Sequence, residues 1–224
     1  VRDRQGEISH FVGIFSDITL LKEHQQRLEH LAHFDPLTQL PNRMLLADRM
    51  QLAMAQTERS GKILGVCYLD LDGFKPVNDL YGHATGDRLL IDVAQRLKSC
   101  VRGGDTVSRL GGDEFVMLLS GLDSVHECDL AVGRVIHLLT QPFQISGHSI
   151  AISASIGVTL FPHDGADADA LLRHADQAMY EAKQGGRNRH HLFDPENDRR
   201  ARQRREEVSE VRRGLSEGEF ELYY

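Results

Sequence analysis

The chain has 224 residues, 41% hydrophobic and 26% charged, proportions of an ordinary globular protein that exclude wholesale disorder and allow a substantial buried core. Its 26 basic and 33 acidic residues leave a formal net charge of −7. No global positive field therefore exists to gather polymeric nucleic acid, although local Lys, Arg and backbone groups can still hold a small anion.

Cys67, Cys100 and Cys128 are odd in number, far apart and set in or beside apolar runs, which fits reduced thiols better than a disulfide framework. No run approaches the roughly 20 apolar residues of a membrane span, and no signal-peptide pattern opens the chain. The expected compartment is the cytoplasm. A chain that starts at Val1 reads as a fragment, so a membrane tether elsewhere in a longer protein stays open.

In chain order, Gln5-Gly6 reads as a turn before a β-rich run holding Ile8, Phe11, Val12, Ile14 and Phe15. Ile18, Leu21, Gln25, Leu28 and Ala32 then alternate steps of three and four, a seam of about two heptads. That pattern serves either a short coiled coil or an amphipathic helix packed on its own domain. Asp35-Pro36 breaks the helix, because proline disfavours helical geometry in the residue before it. Beyond Pro41-Asn42-Arg43 the spacing predicts a helix to about Arg59, a strand over Ile63–Asp70 and a helix from about Gly86 to Val101. A strand, tight turn and strand over Thr106–Leu119 come next, then a helix over Val125–Leu139. Strands between Phe143 and Phe161 and a helix over Ala168–Lys183 close the pattern. Mixed helical and strand periods around a central hairpin predict an α/β (α+β) sandwich, helices covering a mainly antiparallel sheet. Residues 196–213, rich in arginine, read as a charged linker, and Phe220 to Tyr224 alternate like the start of a further strand.

Two acidic clusters carry the chemical signal. Leu69-Asp70-Leu71-Asp72 stands where an apolar strand runs out, and Gly111-Gly112-Asp113-Glu114 stands at the hairpin turn. Acidic residues at strand ends are ordinarily just solvated. Converging carboxylates are also what phosphoryl-transfer chemistry needs to hold a divalent cation. A Gly-Gly turn additionally lets the backbone approach a ligand closely.

Gly111-Gly112-Asp113-Glu114-Phe115 resembles the signature of the GGDEF, or diguanylate cyclase, family. Other segments match in the same order: Asp35-Pro36-Leu37-Thr38 to Leu40-Pro41-Asn42-Arg43; Asp70 to Lys75; Asn78-Asp79; Gly82-His83; Gly86-Asp87; Ala175-Asp176 to Met179-Tyr180; and Lys183 with Gly186-Arg187-Asn188. The resemblance covers about residues 33–194. It implies a ferredoxin-like, palm-type nucleotidyl cyclase fold joining two GTP molecules into cyclic di-GMP. Its assignments put Mg²⁺, or Mn²⁺, on Asp70, the Leu71 carbonyl and Asp113, with Glu114 near the ribose 3′-hydroxyl. Gly73, Phe74 and Lys75 would cradle phosphates, Gly111 and Gly112 would give the backbone access, and Lys183 and Arg187 would contact the same phosphates.

Asn78 and Asp87 would read guanine, since an amide and a carboxylate complement its edge; as bare residues they could equally be turn and helix-cap positions. Lys183 and Arg187 share one face if the helix runs that far, and would otherwise be a solvated face. Arg102-Gly103-Gly104-Asp105, with five residues between Asp105 and Gly111, is similar to the family's product-inhibition site; alone it could be an Arg–Asp pair closing a turn. Two half-sites facing each other imply a homodimer.

Residues 1–18 resemble the end of a PAS sensor, 19–34 a signalling helix, and 35–194 the cyclase domain. Residues 195–224 resemble a linker and the start of an EAL phosphodiesterase domain. The rival readings are a silent GTP-binding module that tunes such a phosphodiesterase, and nucleotidyl transfer on another nucleotide such as ATP.

Overall fold

The computed structural model describes residues 17, 19–165 and 167–196. The strand expected before Ile18 and the linker and strand expected after residue 196 lie outside the described residues.

Helix α1 (Thr19–His33) leads through the 35–42 loop to α2 (Arg43–Ser60), β1 (Ile63–Asp72), α3 (Phe74–Tyr81), α4 (His83–Cys100) and the hairpin β2 (Thr106–Gly111) and β3 (Glu114–Leu122). Then come α5 (Val125–Leu139), the small hairpin β4 (Phe143–Ile145) and β5 (His148–Ile150), β6 (Ser153–Phe161), α6 (Ala168–Gln184) and β7 (Arg189–Leu192). The main sheet runs β2-β3-β1-β6-β7. It is antiparallel except for the parallel β6–β7 pair, so the expected helix-covered, mainly antiparallel sheet is what forms.

β1 is buried on both faces, which explains its nearly continuous apolar sequence. Cys67, Leu69 and Leu71 point into a core shared with α4, α5 and the β4–β5 hairpin. Leu64, Val66 and Tyr68 point into a second core with Leu46 and Met50 of α2 and Leu171, Ala175 and Met179 of α6. Two-residue alternation therefore carries Asp70 and Asp72 onto the α2/α6 side, at the end of β1 where the apolar layer stops. α6 lies almost on the backbone of β6: a Cβ on Gly157 would stand 1.9 Å from the Ala175 carbonyl oxygen and 2.1 Å from the Met179 nitrogen. Glycine there is a packing requirement.

Four expectations need correction. A separate helix, α3, occupies the stretch after Asp72, because Gly73 turns the chain at φ 85° and Pro76 falls in the first turn, where no amide is needed. α4 begins at His83 rather than about Gly86, so Asp87 sits inside the helix and the cap reading fails. α6 ends at Gln184, and Arg187 lies in the loop beyond it at φ 60°. Lys183 and Arg187 therefore do not share a helical face. The short edge strand β7 was not anticipated from its sequence, Arg189-His190-His191-Leu192, which lacks β-branched residues and alternation.

The three cysteines are free, with Cys67 and Cys128 buried. No helix among the described residues is long and apolar enough to cross a membrane.

Candidate active site at the end of the central strands

The site forms where β1 and β3 end side by side. Asp70 stands directly opposite Glu114 in the antiparallel register, and like charges so placed repel. Asp113 completes the group from the hairpin turn, its carbonyl accepting the Leu71 N–H at 3.3 Å. The turn itself needs its glycines, with Gly111 at φ 150° and Gly112 at φ 51°. Lys183 reaches over from the last turn of α6 and places Nζ 2.8 Å from Asp70 Oδ1. Burial pushes the Asp70 carboxyl above its ordinary value; Lys183 opposes the rise, while Asp113 and Asp72 add to it. Such a half-buried knot of negative charge is relieved by a cation.

The donor set suits a hard divalent ion, being carboxylates of Asp70 and Asp113 beside the Leu71 carbonyl. Among the described residues no three metal-ligating side chains converge into a cage. Two carboxylates completed by substrate phosphates are the usual way to hold Mg²⁺, which keeps waters and resists all-protein sites.

Asp72, two residues further along β1, does other work. It is buried, accepting the hydroxyls of Ser153 and Ser155 at 2.9 Å each and the Asn188 N–H at 3.2 Å. Arg187 Nε lies 3.8 Å away. Asp72 thus anchors the loop after α6 and holds Arg187 at the rim of the site.

Gly73, Phe74 and Lys75 form the opening of α3 directly after β1, where the first backbone N–H groups of a helix are free to meet an anion. Asn78 of α3 lies against α4, packed so closely on Gly86 that a Cβ there would fall 1.9 Å from Asn78 Oδ1. That oxygen is buried and has no hydrogen-bond partner in the protein. Asp87 is exposed one residue further along.

Arg102 and Asp105 sit at the far end of β2 from the glycine turn, roughly 20 Å off at strand spacing. Asp105 closes the local turn, accepting the N–H of Arg102 at 2.8 Å and of Ser120 at 2.9 Å. The Arg102 guanidinium instead pairs with Glu127 of α5 at 2.9 Å. Arg102, Arg134, His137 and His190 line an open groove of about 880 Å³ between α4, α5 and β7; the sequence reading had not included Arg134, which arrives from another helix.

Three further contributors escaped the sequence reading. Arg109, nine-tenths buried, donates from Nη1 to Asp35 Oδ1 at 2.9 Å, and from Nε and Nη2 to the Gly112 carbonyl at 3.0 and 2.7 Å. Asp35 also accepts the N–H and hydroxyl of Thr38, at 2.8 and 2.6 Å. Although burial alone would raise it, Thr38 and Arg109 hold the Asp35 carboxyl below its ordinary value. The Asp35-to-Thr38 segment therefore braces the glycine turn. Asn42 caps α2, accepting from the Met44 and Leu45 N–H groups, and its amide donates to the Ala32 carbonyl of α1. Tyr68 donates its hydroxyl to Glu114 Oε2 at 3.0 Å. Burial and the Glu114 charge push this phenol well above its ordinary value, so it remains a donor. Asp35 and Asn42 lie in segments that match the family, with Asn42 at the expected helix start, and strand alternation puts Tyr68 on the face of Asp70, whereas the partners of Arg109 have no local signal.

Residues 32–189 match the family described as "Diguanylate cyclase, GGDEF domain". The chain belongs to the GGDEF family. It is 43% identical over 206 residues to the bifunctional diguanylate cyclase/cyclic di-GMP phosphodiesterase MucR of Pseudomonas aeruginosa, covering 92% of this chain and 30% of MucR. It is 38% identical over 209 residues to the cyclic di-GMP phosphodiesterase PdeR of Escherichia coli, covering 93% of this chain and 31% of PdeR. The chain thus spans under a third of the length of either relative. Among solved structures, the GGDEF domain of TpbB from P. aeruginosa superimposes with a TM-score of 0.73 at 36% identity, covering 76% of this chain and 99% of that one. The sheet and its helices are accordingly the palm-type cyclase fold of GGDEF domains.

Proposed function

We propose that this GGDEF domain is a diguanylate cyclase that condenses two GTP molecules into cyclic di-GMP with release of two pyrophosphates. The observation that carries the reading is the complete acidic constellation of Asp70, Asp113 and Glu114, facing Lys183, at the end of β1 and β3. A Mg²⁺ or Mn²⁺ ion held by Asp70, Asp113 and the Leu71 carbonyl would neutralise charge on the triphosphate.

The protein groups divide the remaining work. The first N–H groups of α3, at Gly73, Phe74 and Lys75, receive the terminal phosphates together with Lys183 and Arg187. Asn78 and Asp87 bind the guanine edge. Glu114 takes the proton of the ribose 3′-hydroxyl as that oxygen bonds to the α-phosphorus of the opposed GTP and the bond to pyrophosphate breaks. Each domain supplies one such half-site, so the working form is a homodimer with two half-sites face to face. Arg102 and Asp105 bind product and restrain the enzyme, which requires Arg102 to leave Glu127.

Purified chain incubated with Mg²⁺ and GTP is expected to yield cyclic di-GMP and pyrophosphate, with none from Asp113→Ala. GTP recovered unchanged at high protein concentration would instead establish a second reading, a silent GTP-binding module governing an adjacent phosphodiesterase. The similarity to PdeR, named for the phosphodiesterase activity, favours keeping that alternative in the test.

A further inference from the structure

We infer that Tyr68 is a positioning residue for the cyclisation step, holding the Glu114 carboxylate in place through its hydroxyl. The inference rests on the cyclase reading of the site.

Tyr68 is paired with Val116 across the sheet, while Glu114 is paired with Asp70. Tyr68 and Glu114 are thus diagonal neighbours on one face, a separation that an aromatic side chain spans and a shorter one does not. The Tyr68 ring has little freedom to do anything else. It is 8% exposed and belongs to the core between the sheet and helices α2 and α6. Its partner on the other side is Gly157, over which the backbone of α6 presses at Ala175 and Met179. The ring is therefore packed by the hydrophobic layer, and its hydroxyl emerges where that layer ends, 3.0 Å from Glu114 Oε2.

Glutamate has three side-chain torsions and here stands opposite the like-charged Asp70, which would drive it out of the site. A hydrogen bond from a rigid phenol removes that freedom and commits Oε2, leaving Oε1 as the acceptor for the attacking hydroxyl. This is the support that a reacting group needs from a locked neighbour. A strand of aliphatic residues would fill the core equally well, so the phenol at this position is explained by its hydroxyl and not by its ring.

The test compares Tyr68→Phe, which keeps the ring, with Tyr68→Leu, which keeps only apolar bulk. Cyclic di-GMP formation, binding of GTP and melting temperature are measured on the same preparations. Tyr68→Phe is expected to lower kcat by roughly 10- to 100-fold, the usual worth of a hydrogen bond to a charged group. KM for GTP and GTP binding should stay at wild-type values, and the melting temperature should fall by no more than the few degrees that one lost hydrogen bond accounts for. Tyr68→Leu should lower kcat at least as far and also reduce the melting temperature. A wild-type kcat in Tyr68→Phe overturns the inference and leaves the cyclase reading intact. So does a loss confined to KM or to stability, because that describes a structural ring. Absence of product from the wild-type chain overturns the cyclase reading, and this inference with it.

Discussion

Arg109 joins the loop that opens the domain to the turn that carries the signature, and Arg109→Ala measures what that brace contributes. The substitution deletes three donors at once, one to Asp35 and two to the Gly112 carbonyl. The side chains of Arg109 and Asp35 retain only 10% and 15% exposure, so water replaces little of what is lost. Removing one partner of a buried ion pair costs about 3–5 kcal/mol. Asp35 keeps both bonds from Thr38 and some contact with water, which sets the expected cost near the lower limit, about 3 kcal/mol. In a domain of this size each kcal/mol moves the melting temperature by about 2–4 °C, so the fall should be roughly 6–12 °C. Thermal unfolding of Arg109→Ala, Asp35→Ala and the double variant gives the coupling between the two residues. The double variant should cost little more than Arg109→Ala alone, because the residues act on one another. Cyclic di-GMP formation should fall further in Arg109→Ala than in Asp35→Ala, since only the former strips the Gly112 carbonyl of its donors. A melting temperature lowered by under about 2 °C, or strict additivity of the two substitutions, would refute the brace.

Because the Asp35 carboxyl is held below its ordinary value in the fold, its ionised form stabilises the protein above the unfolded value of about 3.9 and ceases to do so as the pH falls through the lower folded value. The gap in melting temperature between wild type and Asp35→Asn should therefore be full at neutral pH and close below about pH 4. Gly86→Ala places a methyl group against the end of the Asn78 side chain, which can swing aside. Near-normal thermal stability is expected with KM for GTP raised about tenfold, the loss of one good hydrogen bond. Gly157→Ala meets backbone on α6 instead; it should destabilise by about 3 kcal/mol or more and lower soluble yield, and a wild-type unfolding curve would contradict the close approach of α6 to the sheet. Lys183→Met should weaken binding of GTP, measured calorimetrically, about tenfold or more, because it removes a cation from the phosphates.

Much of the architecture was legible because it rests on local periodicity. The apolar run Ile63–Leu69, the Gly-Gly turn between alternating strands and the amphipathic spacing of α4, α5 and α6 each follow from rules that act within about ten residues. The elements that were missed are those whose local signals are weak or conflicting. α3 carries a proline and a preceding glycine, both ordinarily markers of a turn. β7 has no strand-like composition and is held at the edge by pairing with β6 and by Asp129 and Glu181, which meet His190 and His191 at 2.7 and 2.8 Å. The end of α6 fell within a residue of the expected Lys183, and Gly185 and Gly186 stop the helix before it could carry Arg187 onto the same face.

The same division holds for the site. From the sequence alone came the residue types that converge on it, Asp70, Asp113, Glu114 and Lys183, and the family they belong to, since the motif spacings are properties of the chain. Tertiary structure alone decided which of these groups touch. Strand register set Asp70 opposite Glu114 and brought Tyr68 within 3.0 Å of it, and the path of the chain carried Asp35 to Arg109 across 74 residues. It also gave the two acids of Leu69-Asp70-Leu71-Asp72 different tasks, Asp70 facing Lys183 and Asp72 tying down the loop after α6. The physical reason is one of range. Periodicity reports which side of an element a residue occupies, whereas the partner of a buried charge is fixed by a register and a crossing that only the assembled sheet and helices supply.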